Sequence, residues 1–489
     1  MYMANFIVEF PLKTELWQKD ILNKRLNIAR IIYNSLVNIS LKRYHEMIKT
    51  NKYRNLKNKI RKLSKNKKSN KKKLNKLYKE LGELRKEYRL TEYDFQKDVK
   101  EMQHHFKTNI DSSTVQKIAT RLWTAYSDLF FDDGEFIHFK KYGTLNSVEG
   151  KSNNTGIRFL KDKQLIKWNR LELPVIIKGT DYELKALEND ISYCRIIRRY
   201  VRGKDKYYIQ IVFKGIPPIK HKLGKGDVGI DIGTSTIAYV SENKVYLDEL
   251  ANKVQNIENE IAKLQRKQDR SRRATNPSNF KADGTINKKD DKKLIWNKSN
   301  HYIKTQGKLR ELFRKQADIR KYLHECLANE ILEQGNNIYV EGMNFKSLQK
   351  RSKKTSKNKK GRFSCKKRFG KSIANRAPAM LLTIIDRKLK YHNKELIKIQ
   401  TAKAKASQYN HIDNTYKKKS LGTRWNDFGD FKIQRDLYSA FLIMNINDTL
   451  DGFDLNKCND TFNYFVVKHN IEINRLKNSD IKRVKSLGL

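Results

Sequence analysis

Three acidic residues in this sequence occupy positions from which carboxylates could act together. Asp231 lies in the hydrophobic run 228–232, which predicts a buried strand that ends in a tight turn at Gly233. Glu341 closes a second hydrophobic run, and Asp436 lies near the start of a helical pattern. A buried carboxylate is costly unless its charge is compensated, and a bound cation would compensate it.

Carboxylates that end neighbouring strands can meet a third carboxylate on an adjacent helix at one edge of a sheet. Two Mg²⁺ ions, or Mn²⁺ in their place, could be held there to activate water and to stabilise the leaving oxygen of an in-line displacement at phosphate. Hard cations prefer oxygen ligands, so such a site needs no histidine or cysteine. We therefore predict that Asp231, Glu341 and Asp436 are the catalytic residues and metal ligands of a phosphodiester-cleaving site.

Each of these residues, taken alone, also has a purely structural interpretation. Asp231 could be a surface aspartate at the end of a strand, and Glu341 could be a capped strand end. Asp436 could form a salt bridge on the helix face with Arg435 or Lys432. The combination of three carboxylates in this order is more specific than any one of them.

The charge of the chain indicates a polyanionic partner. Lys plus Arg number 105 against 53 Asp plus Glu, which gives a formal net charge of +52. Such an excess strains a compact fold by self-repulsion, and nucleic acid is the natural partner because its phosphates bind through counterion release. An anionic membrane is the competing partner, but we find no run of about 18 apolar residues and no signal-peptide pattern, so we predict no membrane association.

The cysteines are scattered, and none forms a C-x-x-C pair. This spacing predicts neither a disulfide framework nor a thiolate zinc site, and it is typical of a reduced cytosolic compartment. The four positions are Cys194, Cys326, Cys365 and Cys458.

Hydrophobic periodicity divides the first half into strand-rich and helix-rich stretches. A strand pattern within residues 1–13 precedes helical patterns at 14–150, and short strand patterns follow at 151–222. An isolated strand leaves its backbone groups unpaired, so we expect the first strand to join the later ones across the helical insertion. These patterns predict a small basic β-barrel that is interrupted by a helical domain.

The second half carries the three acidic residues within a stretch at 223–445. Two long helical patterns within 250–334, joined by polar sequence, predict an antiparallel helical hairpin. Residues 446–489 are assigned to a C-terminal tail. The mixture of strands and helices makes the chain an α/β protein with several domains.

Three motifs of the second half resemble those of the TnpB family of transposon-encoded RNA-guided DNA endonucleases and its miniature type V CRISPR effector relatives. Residues 229–233, Gly-Ile-Asp-Ile-Gly, resemble the first RuvC motif, and residues 338–343, Ile-Tyr-Val-Glu-Gly-Met, resemble the second. Residues 434–440, Gln-Arg-Asp-Leu-Tyr-Ser-Ala, resemble the third. The resemblance covers most of residues 225–445 and extends weakly to 29–34.

The resemblance implies both a fold and an activity. The fold would be an RNase H-like RuvC nuclease domain with a helical insertion, preceded by a wedge β-barrel that a helical recognition domain interrupts. The activity would be cleavage of double-stranded DNA, after pairing with a guide RNA and recognition of a short flanking DNA motif. Asp231, Glu341 and Asp436 would bind two Mg²⁺ ions, and the protein would act on DNA in a prokaryotic cytosol.

One segment departs from the family pattern. The family often carries a four-cysteine zinc ribbon just before the third motif, whereas residues 406–432 contain no cysteine. We therefore predict no structural zinc and expect this segment to keep its shape by packing around Trp425 and Phe428. Asp430 is a weak rival for the role of Asp436, although its glycine-flanked loop position argues against it. The residues near the cysteine positions are Asn410, Asp413, Asp427 and Asp430.

Two other classes of protein fit parts of this pattern. A nuclease-inactive, RNA-guided DNA-binding repressor would need the charge but not three intact acids. A transposase that performs DNA strand transfer would use the same metals but would not need a long guide RNA.

Base-reading residues are harder to predict than the acidic site. Tyr33, Asn34 and Tyr44 are candidates for contacts with flanking DNA. A tyrosine on the buried face of a helix is the competing interpretation for these positions.

Overall fold

A computed structural model describes residues 5–64, 69–131, 134–287, 294–349, 369–420, 422–429, 431–479 and 487–488. The chain divides into two compact units, Met1–Ile219 and Lys220–Leu489. Both units combine helices with sheets, so the α/β character expected from the sequence is present in each.

The first unit contains two small sheets and a group of helices inserted between the first strand and the later strands. Its elements are β1 (Asn5–Pro11), α1 (Leu16–Lys49), α2 (Asn51–Leu63), α3 (Lys71–Glu87), α4 (Glu92–Asp98), α5 (Lys100–His105), α6 (Ser112–Phe131), β2 (Ser147–Glu149), β3 (Ile157–Leu160), β4 (Leu165–Trp168), β5 (Leu171–Pro174), α7 (Asp181–Leu187), β6 (Ile191–Val201) and β7 (Lys204–Lys214).

The first strand joins the later sheet, as predicted. β1 pairs antiparallel with β7 from Asn5 opposite Lys214 to Pro11 opposite Tyr208, and the sheet order is β1-β7-β6-β2. The alternation of buried residues along β1 directs Phe6, Val8 and Phe10 into the core. The pairing therefore provides partners for the backbone groups along one edge of β1, and the strand buries one of its faces.

The closed β-barrel predicted for this unit is not found in the described part of the chain. Strands β3, β4 and β5 form a separate antiparallel sheet, which meets β1 through a single bridge between Leu12 and Val175. Short strands of three or four residues supply too few backbone pairs to close a cylinder. The two sheets share one apolar core with the helices, which includes Trp168 and Phe213.

Helix α1 is long because its apolar residues keep a helical period over many turns. Leu22, Leu26, Ala29 and Leu36 lie on its buried face, and a capping box between Glu15 and Gln18 begins it. The helix packs on α6, and both contribute to the core of the first unit.

The second unit is built on a mixed five-stranded sheet. Its elements are β8 (Asp227–Ile232), β9 (Thr236–Ser241), β10 (Val245–Glu249), α8 (Gln255–Thr275), α9 (Asn300–Gln334), β11 (Asn337–Glu341), α10 (Phe345–Gln349), α11 (Gly370–Arg376), α12 (Pro378–Lys390), β12 (Ile397–Ile399), α13 (Thr401–Ala404), β13 (Tyr409–Asn410), β14 (Thr415–Tyr416), β15 (Trp425–Asp427), β16 (Lys432–Gln434), α14 (Arg435–Met444) and α15 (Leu455–Lys477).

The strand order of this sheet is β10-β9-β8-β11-β12. β8, β9 and β10 form an antiparallel meander, whereas β8, β11 and β12 run parallel. The parallel strands β8 and β11 are far apart in the chain, and the crossover between them contains the helices α8 and α9. These two helices pack on each other through Ile261, Leu309 and Leu312.

The two faces of the sheet are covered by different helices. α9 and α12 contribute Leu332, Leu381 and Ile385 to one apolar cluster, and α14 contributes Phe441 to another. The segment assigned from the sequence to a tail contains α15, which adds Phe465, with Ile473 and Leu476, to the cluster around α14. Helix α15 is therefore part of the core of this unit.

Candidate carboxylate site

Asp231 and Glu341 lie on neighbouring parallel strands at the same level. Val340 of β11 is paired with Ile230 of β8, so Glu341 stands beside Asp231 one residue further along. Side chains at equivalent positions of adjacent strands point to the same face, and adjacent strands lie about 4.8 Å apart. The register therefore places both carboxylates on one face of the sheet.

Helix α14 crosses this face directly over Gly229. A Cβ atom at Gly229 would collide with the carbonyl oxygen of Ala440 and the amide nitrogen of Met444, and would lie 2.8 Å from the Met444 Cα. Only a residue without a side chain allows such an approach between a helix backbone and a strand.

The stripe of α14 that touches Gly229 also carries Asp436. Asp436, Ala440 and Met444 are spaced by four residues and share one helix face, with about 6 Å between successive members. Asp231 lies two residues beyond Gly229, which is also roughly 6 to 7 Å along the strand on the same face. The helix contact thus brings Asp436 to the neighbourhood of Asp231.

The electrostatics of Asp231 agree with this placement. Burial of the Asp231 carboxylate raises its pKa well above the usual range, and repulsion from Asp436 and then Glu341 raises it further, against the attraction of Arg435 and Arg424. The residue keeps some exposed surface, but its carboxylate is surrounded by protein. Negative charge is therefore concentrated here beyond what the neighbouring arginines neutralise.

Glu341 is in a similar position. Burial raises the pKa of the Glu341 carboxylate. Within the residue ranges given above, neither Glu341 nor Asp231 has a hydrogen bond or an ion pair through its carboxylate oxygens. Half-buried carboxylates without a partner are the kind of group that a cation stabilises.

Asp436 differs because it is paired with two arginines. Arg435 Nη2 lies 3.4 Å from Asp436 Oδ1, and Arg424 Nη1 lies 3.8 Å from Asp436 Oδ2. Arg435 is itself oriented by the carbonyl oxygens of Ser420 and Thr423, to which its Nη1 donates at 3.3 and 3.0 Å. The salt bridge with Arg435, which the sequence left open as a structural role for Asp436, is therefore present.

The carboxylates have the donor type that a hard cation requires, but they are not arranged as a complete metal site. Among the residues that the structure describes, no group of three or more histidine, cysteine, aspartate or glutamate side chains could hold a metal ion as placed. The donors available at Asp231 and Glu341 are oxygens, which suit Mg²⁺ or Mn²⁺. Asp436 offers oxygens of the same type, although it is also paired with Arg424 and Arg435.

The segment without cysteines is organised by turns and aromatic packing. Asp413 accepts hydrogen bonds from the Thr415 amide at 3.2 Å and hydroxyl at 2.7 Å, and Asp427 accepts one from the Gly429 amide at 3.1 Å. These carboxylates cap tight turns, as aspartates commonly do. Asn410 does the same for the amide of Ile412 at 3.2 Å. Asp430, the rival to Asp436, lies outside the described residues.

Aromatic packing holds this segment on the core, as predicted for Trp425 and Phe428, which both pack against the cluster around α14. Phe428 lies 5.1 Å from Tyr438 between ring centroids. The His411 Nδ1 lies 2.6 Å from the Tyr438 hydroxyl, and burial lowers the pKa of His411 to about 4. The imidazole is thus neutral at physiological pH and serves as a packing and hydrogen-bonding group.

Sequence reasoning missed how the end of the chain supports the site. Trp425 Nε1 donates to the Gly488 carbonyl at 2.9 Å, and Gln434 Nε2 donates to the Leu487 carbonyl at 3.3 Å. Leu487 is fully buried, and Gly488 lies against the aliphatic stem of Arg424. The only sequence signal is an apolar residue beside a glycine, which is too common to predict such a contact.

The three candidates for base reading have structural roles. Tyr33 is 3% exposed, which is the buried-tyrosine alternative left open by the sequence. The Asn34 side chain is bonded to both the amide and the carbonyl of Lys140, at 2.8 and 2.9 Å. Tyr44 packs its ring on Tyr126, with centroids 6.0 Å apart.

Comparisons with known proteins give similar structures but no matching family. No family model matches the chain, and no curated protein matches it. The chain is similar to a cryo-EM structure of a Cas12f1–sgRNA–target DNA complex, with a TM-score of 0.41, 11% identity, and coverage of 90% of this chain and 98% of that chain. It is also similar to a CRISPR-Cas12f ternary complex, with a TM-score of 0.24, 15% identity, and coverage of 89% and 82%.

Both of those structures are Cas12f complexes. With TM-scores below 0.5, the likeness assigns no role to an individual residue of this chain. None of the helices that the structure describes is long and apolar enough to cross a membrane.

Proposed function

We propose that this chain is an RNA-guided DNA endonuclease whose second unit is an RNase H-like RuvC domain. The observation that carries the proposal is the convergence of Asp231, Glu341 and Asp436 from β8, β11 and α14. Two adjacent parallel strands and a helix that touches Gly229 supply these carboxylates from three distant parts of the chain. Two carboxylates that have no hydrogen bond or ion pair to any described residue favour a cation site over a purely structural role.

The proposed chemistry is hydrolysis of a DNA phosphodiester with the help of two Mg²⁺ ions. When bound, such ions activate a water molecule and stabilise the leaving oxygen of an in-line displacement. Asp231 and Glu341 would bind the ions through oxygens that make no hydrogen bond or ion pair within the described part of the chain. Asp436, which is paired with Arg424 and Arg435, would be the third ligand.

The proposed partners are a guide RNA and a double-stranded target DNA with a short flanking motif. Base pairing would select the target, so the protein needs mainly to grip nucleic-acid backbones. The net charge of +52 supports binding to nucleic-acid backbones, since phosphate contacts account for most sequence-independent affinity. We place this activity in the cytoplasm, which agrees with free thiols at Cys194, Cys326 and Cys458.

The nuclease proposal is tested with Asp231→Ala in protein that is expressed together with its flanking DNA locus. The variant should lose Mg²⁺-dependent cleavage of a DNA target matched to the co-purified RNA, and it should retain that RNA. Asp427→Ala is the matched control, because Asp427 is an exposed carboxylate of the same unit that forms an ion pair with Lys432 at 3.6 Å and caps a turn by accepting from the Gly429 amide. Cleavage that persists in Asp231→Ala would remove this residue from the site.

The same preparation separates the two other classes of function. A wild-type protein that binds RNA and target DNA but never cuts would be a guided repressor. Joined rather than cut DNA strands, obtained without a discrete co-purified RNA, would indicate a transposase.

A further inference from the structure

A loop of the first unit exposes three large aromatic side chains within seven residues. The aromatic loop, residues 134–145, connects α6 to β2 and contains no helix or strand. Phe136 is 72% exposed, Phe139 is 52% exposed and Tyr142 is 80% exposed. Scattered apolar residues on a surface are ordinary, but a local concentration of exposed rings marks an interaction site.

The aromatic loop is anchored, so the exposure of its rings is not a consequence of a loosely attached segment. The Asn34 side chain accepts from the Lys140 amide at 2.8 Å and donates to the Lys140 carbonyl at 2.9 Å. Arg198 Nη2 donates to the Gly143 carbonyl at 2.8 Å. Ile137 and Leu145 pack into the core of the unit. The backbone is therefore fixed from both sides while the three rings point away from the core.

Positive charge lies next to one of these rings. The Arg30 guanidinium lies 5.8 Å from the centroid of the Tyr142 ring. Lys141 is exposed beside Tyr142. Glu135 is the single acidic residue in the sequence of the loop. The exposed Tyr142 ring therefore lies close to two positively charged side chains.

Unpaired nucleotides are the partner whose chemistry matches this surface. Exposed bases stack on aromatic side chains without regard to sequence, and phosphates are attracted to adjacent cations. A duplex conceals its base faces, so it could use the cations but not the rings. The fully buried core of a protein interface is depleted in charged residues, with Lys among the most depleted types, which makes a protein partner a poorer match to this loop.

We propose that the aromatic loop is a stacking platform for unpaired nucleotides of RNA or DNA. It deepens the proposed function, on which it rests only for the expectation that such strands are present in the working complex. Phe139 and Tyr142 would receive base faces, and Arg30 and Lys141 would contact phosphates. The platform lies in the first unit, and its binding is separate from the chemistry of the carboxylates in the second.

The test measures oligonucleotide binding by the full chain without a guide. Fluorescence anisotropy compares wild type with Phe139→Ala/Tyr142→Ala on three probes: an unstructured RNA of about 12 nucleotides, the same sequence as single-stranded DNA, and its DNA duplex. Titrations at about 0.5 M NaCl suppress the contribution of the many exposed lysines, since charges are then screened within a few ångström. The variant should bind both single strands about 10-fold to 100-fold more weakly and the duplex unchanged.

Three further variants separate stacking from charge and from folding. Phe139→Tyr/Tyr142→Phe keeps both rings and should retain wild-type affinity. Lys141→Gln should lower the dependence of log affinity on log salt by about 0.7 for single strands, whereas the double alanine variant should leave that slope unchanged. Tyr464→Ala removes a ring that is 72% exposed in the other unit and should change nothing.

A spectroscopic signal reports stacking directly. Phe139→Trp should show quenching of the added tryptophan when single strands bind, beyond the change seen in wild type. A loss for RNA alone or for DNA alone would identify which strand uses the platform.

The proposal is overturned if the double alanine variant binds all three probes like wild type, or weakens duplex binding equally. It is also overturned if the variant changes only the oligomeric mass, which would make the loop a protein contact. A wild-type protein that never cleaves DNA would contradict the proposed nuclease activity. The oligonucleotide-binding measurements would still test the stacking platform independently.

Discussion

Asp231, the proposed metal ligand, lowers the stability of the folded protein when no metal is bound. Its carboxylate is buried beside two other carboxylates, and this raises the pKa of Asp231 well above the usual range. A group whose pKa is raised in the folded state makes folding less favourable as the pH rises through that pKa. In metal-free protein, the ionised Asp231 carboxylate therefore lowers the free energy of unfolding, whereas bound cations would stabilise that carboxylate.

Asp231→Asn should raise the melting temperature of the metal-free protein at pH 8 and abolish cleavage. The amide removes the buried charge, while the loss of a metal ligand should lower the cleavage rate by about 10³-fold if the ligand contributes roughly 4 kcal/mol to the transition state. Melting curves in a chelator and cleavage assays in Mg²⁺ measure the two effects.

The effect of Asp231→Asn on the melting temperature should depend on pH. Well below the usual aspartate pKa of about 4, Asp231 is protonated in both the folded and the unfolded protein, so the difference in melting temperature between Asp231→Asn and wild type should be smallest there. A difference that grows as the pH falls would contradict the raised pKa.

At the scale of elements, the contact between α14 and β8 sets the distance between Asp436 and Asp231. The helix backbone lies on Gly229 so closely that no side chain fits between them. Local sequence does not reveal this contact, because a Gly-Ile-Asp-Ile-Gly run is equally compatible with a strand that has an open face.

Gly229→Ala should weaken both stability and cleavage. The added methyl group meets helix backbone, which cannot rotate away, so the free energy of unfolding should fall by about 1–3 kcal/mol or more. Gly307→Ala is the control, because an added Cβ at that position meets nothing within 4 Å. Gly307 lies within α9, where alanine is more favourable than glycine by about 0.5–1 kcal/mol. Denaturant unfolding and cleavage rates measure the outcome, and an unperturbed Gly229→Ala protein would refute the close approach.

The contact of Gly488 with Arg424 gives a second prediction at this scale. An added Cβ at Gly488 would collide with the Arg424 Cβ and lie 2.8 Å from its Cγ, so Gly488→Ala should displace Arg424 from Asp436 and change the Mg²⁺ concentration needed for half-maximal cleavage.

Gly429→Ala is the matched control for this experiment. Gly429 has φ of 84° and Gly488 has φ of 75°, so both substitutions carry similar backbone strain, but a Cβ at Gly429 meets nothing within 4 Å. Equal effects of the two substitutions would attribute the change to strain and not to Arg424.

At the scale of the whole molecule, the net charge of +52 affects both the stability of the fold and the affinity for nucleic acid. Like charges destabilise a compact state, and both salt and a bound polyanion reduce their repulsion. The excess is spread over several segments of both units, as expected for a protein that grips nucleic-acid backbones at many points.

The melting temperature of the protein without nucleic acid should therefore rise between 50 and 300 mM NaCl, as roughly a halving of the Debye length reduces self-repulsion. Affinity for non-matching DNA should fall over the same range, with log affinity linear in log salt. Differential scanning fluorimetry and anisotropy follow the two quantities, and opposite slopes are expected. A melting temperature that falls with salt would indicate that ion pairs such as Arg376–Glu249 outweigh the repulsion.

The sequence by itself determined the parts of this protein that depend on local pattern. Alternation and helical periodicity placed β1, β8, β11 and α14, because side-chain burial repeats with the period of each element. Family-like motifs selected Asp231, Glu341 and Asp436 from the 53 acidic residues of the chain.

Only the tertiary structure decided how those residues are surrounded. The ion pairs of Asp436 with Arg424, the passage of α14 over Gly229, the open pair of sheets in place of a barrel, and the burial of Leu487 join residues that are not neighbours in pattern. Such contacts arise when complete elements pack, and packing depends on shape and register across the whole unit, which a local period does not encode.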